Sequence, residues 1–179
     1  MNRAEGPAAV IAGGWGNCAG YCGAVGGGHS NMAVNYSTVA GGEYNTANGL
    51  WSCVLGGKTN TASGFFASVG GGWANTASGF YSTVPGGWQN SAAGGGSFAA
   101  GARAKANHQG AFVWGDGTDG DFASSSNNQF LIRAGGGVGI GTNSPKALLH
   151  VAGTARFQSG VTYIPPLGNL SMGTFTNMP

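Results

Sequence analysis

The sequence predicts an all-β protein built as a parallel β-solenoid, with 14 or 15 residues in each coil. A short phrase that recurs six times carries this prediction, together with abundant glycine and scarce charge. The phrase comprises an apolar residue, a small residue, two glycines, two variable residues and an asparagine. Its asparagines are Asn17, Asn31, Asn45, Asn60, Asn75 and Asn90. A period this regular is typical of proteins whose coils stack on one another.

Two columns of small apolar residues predict the two strands of each coil. One column is alanine in every coil, and the other is valine or isoleucine. Because alternate residues of a strand face the same side, both columns are expected to point inward and to form a thin core. The columns are Ala19, Ala33, Ala47, Ala62, Ala77 and Ala92, and Ile11, Val25, Val39, Val54, Val69 and Val84.

Asparagine and glycine predict the two turns of each coil. Asparagine tolerates the left-handed conformation and can hydrogen-bond to the layer above, so the Asn column predicts a turn ladder. Gly41, Gly42 and their equivalents are expected in the other turn, where a positive φ is needed.

Composition excludes several other classes of protein. The chain has 38 glycines among 179 residues, but they do not recur at every third position as in collagen. The 41% hydrophobic content and net charge of +2 fit neither a disordered chain nor a nucleic-acid-binding protein. No apolar stretch approaches the roughly 20 residues of a membrane span. No apolar stretch of a signal peptide follows Met1–Pro7 either, which favours assembly inside a cell or a piece of a longer chain.

A third column of large apolar residues predicts assembly. Leu50, Phe65 and Phe80 recur one coil apart, after a glycine, and would form an apolar stripe. A coil with an Ala/Val interior buries little surface by itself, so the stripe is expected at the interface of a homotrimer. The alternative is that these side chains fill a monomeric solenoid.

The repeat period continues after Asn90 for two further coils and is then lost. Ala99 and Val113 occupy the valine position of two further coils, which predicts a solenoid domain over residues 8–115. Residues 116–160 are expected to form a β-rich neck, with a buried strand at Phe130–Arg133 and further strands at residues 137–141, 148–151 and 155–157. Residues 161–179 lack periodicity and are expected to be irregular or extended.

The two residues between Gly-Gly and Asn vary while their neighbours do not, which places them on a solvent-facing rim. Tryptophans one coil apart on this rim would form a platform for a sugar or receptor, because an aromatic face suits an apolar sugar face. The alternative is that the rings cover the seam between chains. The candidate receptor-binding residues are Trp15, His29, Glu43, Tyr44, Lys58, Trp73 and Trp88.

No catalytic constellation or cofactor motif is apparent in the sequence, so an enzyme is not expected. Asp116, Asp119 and Asp121 are a weak candidate calcium site, and a polar turn is the favoured interpretation because the spacing is not that of an EF-hand. The three cysteines are predicted to be small buried packing residues, with a bridge between chains as the alternative.

Two segments resemble known families. Ser97–Asn107 (SFAAGARAKAN) and the recurring Val-x-Gly-Gly phrase resemble the head repeats of trimeric autotransporter adhesins. This resemblance implies a left-handed parallel β-roll of three chains side by side. Gln129–Pro145 and Leu148–Gly153 are similar to segments of bacteriophage tail fibres and bacterial surface fibres, which often precede a self-cleaving chaperone domain.

The sequence and these resemblances predict a non-enzymatic fibre segment on the outside of a cell or on a virion. Its expected partners are two sister chains, a cell-surface glycan or protein receptor, and an adjoining fibre protein at the N-terminal face. Neither nucleic-acid binding nor membrane insertion is expected. The first alternative is a purely structural shaft or cap, and the second is an ice-binding solenoid that uses the ladder of Thr46, Thr61 and Thr76.

Overall fold

The computed structural model describes residues 1–155, which form 21 strands and no helix. They belong to two compact units, one spanning Met1–Gly136 and the other beginning at Gly137. The first unit is a parallel β-solenoid of about ten turns, so the predicted fold class is confirmed.

Two parallel sheets form the walls of the solenoid. The alanine sheet contains β1 (Arg3–Ala4), β3 (Cys18–Ala19), β5 (Met32–Ala33), β7 (Thr46–Ala47), β9 (Thr61–Ala62), β11 (Thr76–Ala77), β14 (Ser91–Ala92), β16 (Ala104–Ala106) and β18 (Phe122–Ala123). The valine sheet contains β2 (Val10–Ile11), β4 (Ala24–Val25), β6 (Thr38–Val39), β8 (Cys53–Val54), β10 (Ser68–Val69), β12 (Thr83–Val84), β15 (Phe98–Ala102), β17 (Phe112–Gly115) and β19 (Phe130–Arg133), and β13 (Gly87–Trp88) pairs with β15.

The chain alternates between the two sheets, so each strand pairs with its equivalent one coil away. Ala47 pairs with Ala62, and Val54 pairs with Val69 in the same register. The Ala and Val columns are buried from Ala19 and Val25 onward, and the core cluster consists almost entirely of these two residue types. Ala99 and Val113 continue the valine column as predicted.

A ladder of buried asparagines supports the turn that leads into the alanine sheet. The backbone N–H of Asn75 donates to Oδ1 of Asn60 at 3.0 Å. Nδ2 of Asn60 lies 2.9 Å from the carbonyl oxygens of Gly56, in its own coil, and Gly72, in the next. The predicted ladder is confirmed, although its repeating bond between coils runs from a backbone N–H to an asparagine side chain.

Two details of the turn prediction are wrong. The left-handed residue is the one before the asparagine, with φ of 55° at Tyr44 and 58° at Thr59, because the asparagine side chain folds under the turn to reach the glycine carbonyls. The Gly41–Gly42 pair also lies in this same turn, between β6 and β7, although the positive φ predicted for it is present at Gly42, where φ is 94°. The opposite turn, between β7 and β8, contains Gly49, Leu50 and Trp51.

The solenoid extends beyond the predicted range of 8–115. β1 begins at Arg3, and β19 ends at Arg133 as the last strand of the valine sheet. β19 pairs Phe130 with Phe112, a separation of 18 residues, so the last coil is longer than the others. The strand predicted at Phe130–Arg133 exists. Phe130 is 68% exposed, however, so the prediction that this strand is buried is wrong.

The second unit contains a parallel pair of strands, β20 (Val138–Ile140) and β21 (Leu149–Val151), in which Val138 pairs with Leu149. These two strands were predicted. The predicted strand at 155–157 extends outside the described residues, and the predicted irregular tail at 161–179 lies wholly outside them.

Candidate binding rim and aromatic edge

The rim is the column of residues that directly follows the Gly-Gly pair of each coil. Its members are joined by parallel backbone bridges, so the column keeps the register of a strand. The backbone N–H of Trp73, for example, donates to the carbonyl oxygen of Gly87 at 3.0 Å. Because a buried asparagine supports each turn, these side chains stand on a rigid backbone. The rim consists of Trp15, His29, Glu43, Lys58, Trp73 and Trp88.

Side chains along the rim interact with their neighbours in the next coil. Trp15 stacks on His29 with ring centroids 5.1 Å apart, and Trp73 stacks on Trp88 at 6.1 Å. Between the two stacks, Nζ of Lys58 lies 2.9 Å from a carboxylate oxygen of Glu43. The rim therefore alternates along the solenoid from aromatic to ionic and back to aromatic.

Tyr44 lies beside the rim, in the column before the asparagines. Its ring makes an edge-to-face contact with His29, with centroids 5.2 Å apart, and it is half exposed. The structure thus brings all seven predicted rim residues to one turn edge of the solenoid.

The two opposite charges at the centre of the rim, on Glu43 and Lys58, stabilise each other. The hydrogen bond from Lys58 holds the pKa of Glu43 below its usual value, and the bond to Glu43 raises the pKa of Lys58. Both side chains are therefore charged at neutral pH, and their charges cancel locally.

The opposite turn carries a second set of side chains, the aromatic edge. Leu50, Phe65 and Phe80 lie in one column there, as predicted, and the rings of Phe65 and Phe80 stack at 4.7 Å. A neighbouring column, which the sequence interpretation missed, adds further rings in continuous contact. The aromatic edge consists of Tyr21, Tyr36, Leu50, Trp51, Phe65, Phe66, Phe80 and Tyr81.

The missed column contains Tyr36, Trp51, Phe66 and Tyr81, which recur at intervals of 15 residues. That interval was a visible signal. The column is unusual because its residues are left-handed, with φ of 57° at Trp51 and 56° at Phe66, a conformation that bulky residues rarely adopt. The Tyr21 and Tyr36 hydroxyls lie 3.4 Å apart, and this hydrogen bond raises the pKa of Tyr36 to about 12.

The acidic loop lies in the enlarged last coil and is bound by arginines. Asp119 and Asp121 pair with Arg103 at 2.6 and 3.0 Å, and Asp116 pairs with Arg133 at 3.1 Å. The backbone N–H of Gly135 donates to Asp116 at 2.7 Å, and this bond, with those from Thr118, lowers the pKa of Asp116 to about 2. Within residues 1–155 no group of three His, Cys, Asp or Glu residues could hold a metal ion, so the weak calcium interpretation finds no support in this loop.

The cysteines and histidines form no evident reactive centre in the described chain. Cys18, Cys22 and Cys53 are unbonded and half-buried, so the prediction of buried packing residues is wrong. His108 Nδ1 lies 2.8 Å from Oγ of Ser124, the one close Ser–His pair in residues 1–155. That oxygen also accepts the backbone N–H groups of Asn107 and His108, which identifies Ser124 as a support for the end of the alanine sheet.

The threonine ladder is present but short. Thr46, Thr61 and Thr76 pair in register on the outer side of the alanine sheet. Met32 precedes them and Ser91 follows them in the same column, so the threonines cover only three coils.

A comparison with protein-family models gives no match, and neither does a comparison with curated proteins. The part of the chain that the structure describes contains no helix long and apolar enough to cross a membrane. Functional interpretation therefore depends on the chemistry of the two turn edges.

Proposed function

We propose that this chain is a non-enzymatic segment of a trimeric attachment fibre on the outside of a cell or virion, and that its rim binds a cell-surface glycan or protein receptor. The contrast between the two turn edges of one rigid solenoid carries this proposal. One edge is continuously aromatic, and the other combines aromatic, ionic and polar side chains.

The aromatic edge supports self-association. Six of its side chains are at least 40% exposed in the single chain; Phe66 has the lowest value of the six, 40%, and Tyr81 the highest, 58%. At about 200 Å² for each aromatic side chain, they expose roughly 600 Å². This value lies at the upper end for the largest apolar patch of a monomer and approaches the roughly 800 Å² that each partner buries in a stable interface. Sister chains are the occupants that the adhesin-like repeats imply.

The rim supports attachment because it is exposed, rigid and chemically mixed. Trp15 and Trp73 are 63% and 47% exposed, and tryptophan is enriched among residues that dominate binding energy. The Gly-Gly-x-x-Asn frame stays constant while these positions vary, so the ligand-facing chemistry can differ between coils without any change in the fold.

Two variants at the rim, Trp73→Ala and Trp88→Ala, test the proposal on a panel of bacterial and animal cells. We expect the native protein to bind at least one cell type as a trimer, and both variants to keep the trimeric mass while losing most of the binding. Phe66→Ser, on the other edge, is expected to lower the mass. If the rim variants break the trimer, the rim is the seam between chains. If the native protein binds no cell, the structural-shaft interpretation replaces the receptor-binding one.

A further inference from the structure

We infer that the ligand of the rim is an uncharged glycan and that its pyranose rings lie on a step formed by Trp73 and Trp88. This inference rests on the proposed attachment function and specifies the chemical class of the receptor. It follows from the offset of the two indole rings and from the pairing of every cationic side chain beside them.

The Trp73 and Trp88 rings form a step because their centroids lie 6.1 Å apart, whereas the centroids of the other stacked pairs on this solenoid lie 4.5–5.2 Å apart. Adjacent coils are about 4.8 Å apart, so a centroid distance of 6.1 Å with planes 21° apart corresponds to a lateral offset of roughly 4 Å. Phe98 and Phe112, in contrast, stack at 4.7 Å with planes 3° apart, which leaves almost no offset. An offset of this size leaves part of each indole face uncovered by the other ring, and Trp73 and Trp88 are 47% and 38% exposed.

An open indole face suits a sugar. The C–H groups on one side of a pyranose ring are apolar and weakly positive, and the face of an indole carries negative quadrupole density. Thr59 directly follows Lys58 in the coil before Trp73, and Gln89 directly follows Trp88, so the step has a hydroxyl and an amide group nearby, of the kind that bind sugar hydroxyls. The step thus places stacking and polar groups side by side.

The charges around the step disfavour an acidic sugar. Nζ of Lys58 is bound to Glu43 at 2.9 Å, and Arg103 is bound to both Asp119 and Asp121. Nζ of Lys105 donates to the carbonyl oxygen of Gln89 at 2.6 Å. A sialic acid or sulfate would have to compete with these partners for the cations, and desolvating an anion without a free cation is unfavourable. An uncharged glycan meets no such cost.

A glycan array of matched pairs tests this inference. Each pair shares one core oligosaccharide that ends in galactose, glucose or N-acetylglucosamine, either free or capped with sialic acid or sulfate. We expect the native protein to bind uncharged members only. Trp88→Ala and Trp73→Ala should each weaken that binding by about tenfold or more. Trp114→Ala is the matched control, because Trp114 is 37% exposed but lies on the outer side of the valine sheet.

Glu43→Gln provides a second, gain-of-function arm. The substitution keeps the shape of the side chain but frees Lys58, so we expect new binding to the sialylated or sulfated members of the panel. Unchanged discrimination in this variant would overturn the electrostatic part of the inference. A native protein that prefers acidic glycans, or one whose glycan binding survives both tryptophan substitutions, would overturn the whole inference.

Failure of this inference is distinguishable from failure of the proposed function. If the native protein attaches to cells through the rim but binds no uncharged glycan on the array, the receptor has another chemistry and only the inference fails. If it attaches neither to cells nor to glycans, both fail.

Discussion

Replacing Asn60 with alanine in the middle of the ladder should destabilise the solenoid strongly. Asn60 is fully buried, and its side chain bonds to the backbone N–H of Asn75 and the carbonyl oxygens of Gly56 and Gly72. Alanine would remove this partner from all three groups, and the N–H of Asn75 lies in a buried position where water cannot replace it.

The expected cost is roughly 3 to 5 kcal/mol in the free energy of unfolding. Each of the two bonds to the glycine carbonyls contributes about 1 kcal/mol net, and leaving the buried N–H of Asn75 unsatisfied costs about 1–3 kcal/mol more. Asn2 provides a matched control, because Asn17 N–H donates to its Oδ1 at 3.0 Å in the same geometry but at the solvent-accessible first coil. Water can replace the amide there, so Asn2→Ala should cost less than about 1 kcal/mol.

Urea unfolding followed by tryptophan fluorescence, at one protein concentration for all variants, measures both costs. The denaturant midpoint should fall far more for Asn60→Ala than for Asn2→Ala. Equal and small effects at the two positions would refute the assignment of the ladder as a main support of the turns.

Two further substitutions test other parts of the same turns. Gly57→Ala should lower the urea midpoint of unfolding, because φ is 83° there and the new Cβ would overlap the carbonyl oxygen of Gly72. Gly56→Ala is the control and should have little effect, because no atom lies within 4 Å of its new Cβ. A comparable loss of stability at both positions would contradict this account. Asp116 has a pKa lowered from 3.8 to about 2 in the folded protein, so its stabilising contribution is present above about pH 4 and lost toward pH 2. The stability difference between the native protein and Asp116→Asn should therefore narrow as pH falls through this range, and a difference independent of pH would show that the hydrogen bonds to Asp116 do not favour its charged form.

The repeating frame of the solenoid could be predicted because it repeats. The thin core accepts only small apolar side chains, so the columns that contain Ala47 and Val54 keep one residue type in almost every coil. Repetition over six coils identifies these positions as core even though a single short segment would not distinguish a strand from a loop. The same constancy marked Trp73 and Lys58 as positions outside the frame, so their placement on a common edge followed from the period alone.

The conformation of the turns could not be predicted from residue preferences. Thr59 and Trp51 are left-handed, although β-branched and bulky residues disfavour this conformation, because backbone bonds from neighbouring coils hold them there. The preference of asparagine for that conformation therefore indicated the wrong residue.

The details of the rim also depend on information that the period does not contain. The ion pair of Glu43 with Lys58 and the step between Trp73 and Trp88 arise from side-chain torsions on adjacent coils. The extent of the solenoid was underestimated because the last coil has 18 residues and breaks the rhythm before β19 begins.

The mass in solution tests most directly whether the aromatic edge holds sister chains together and leaves the rim for a ligand. Light scattering on the native protein should give three times the 17.6 kDa of one chain, and Phe66→Ser should shift the mass toward a single chain. A native protein that remains monomeric at micromolar concentration would contradict this account.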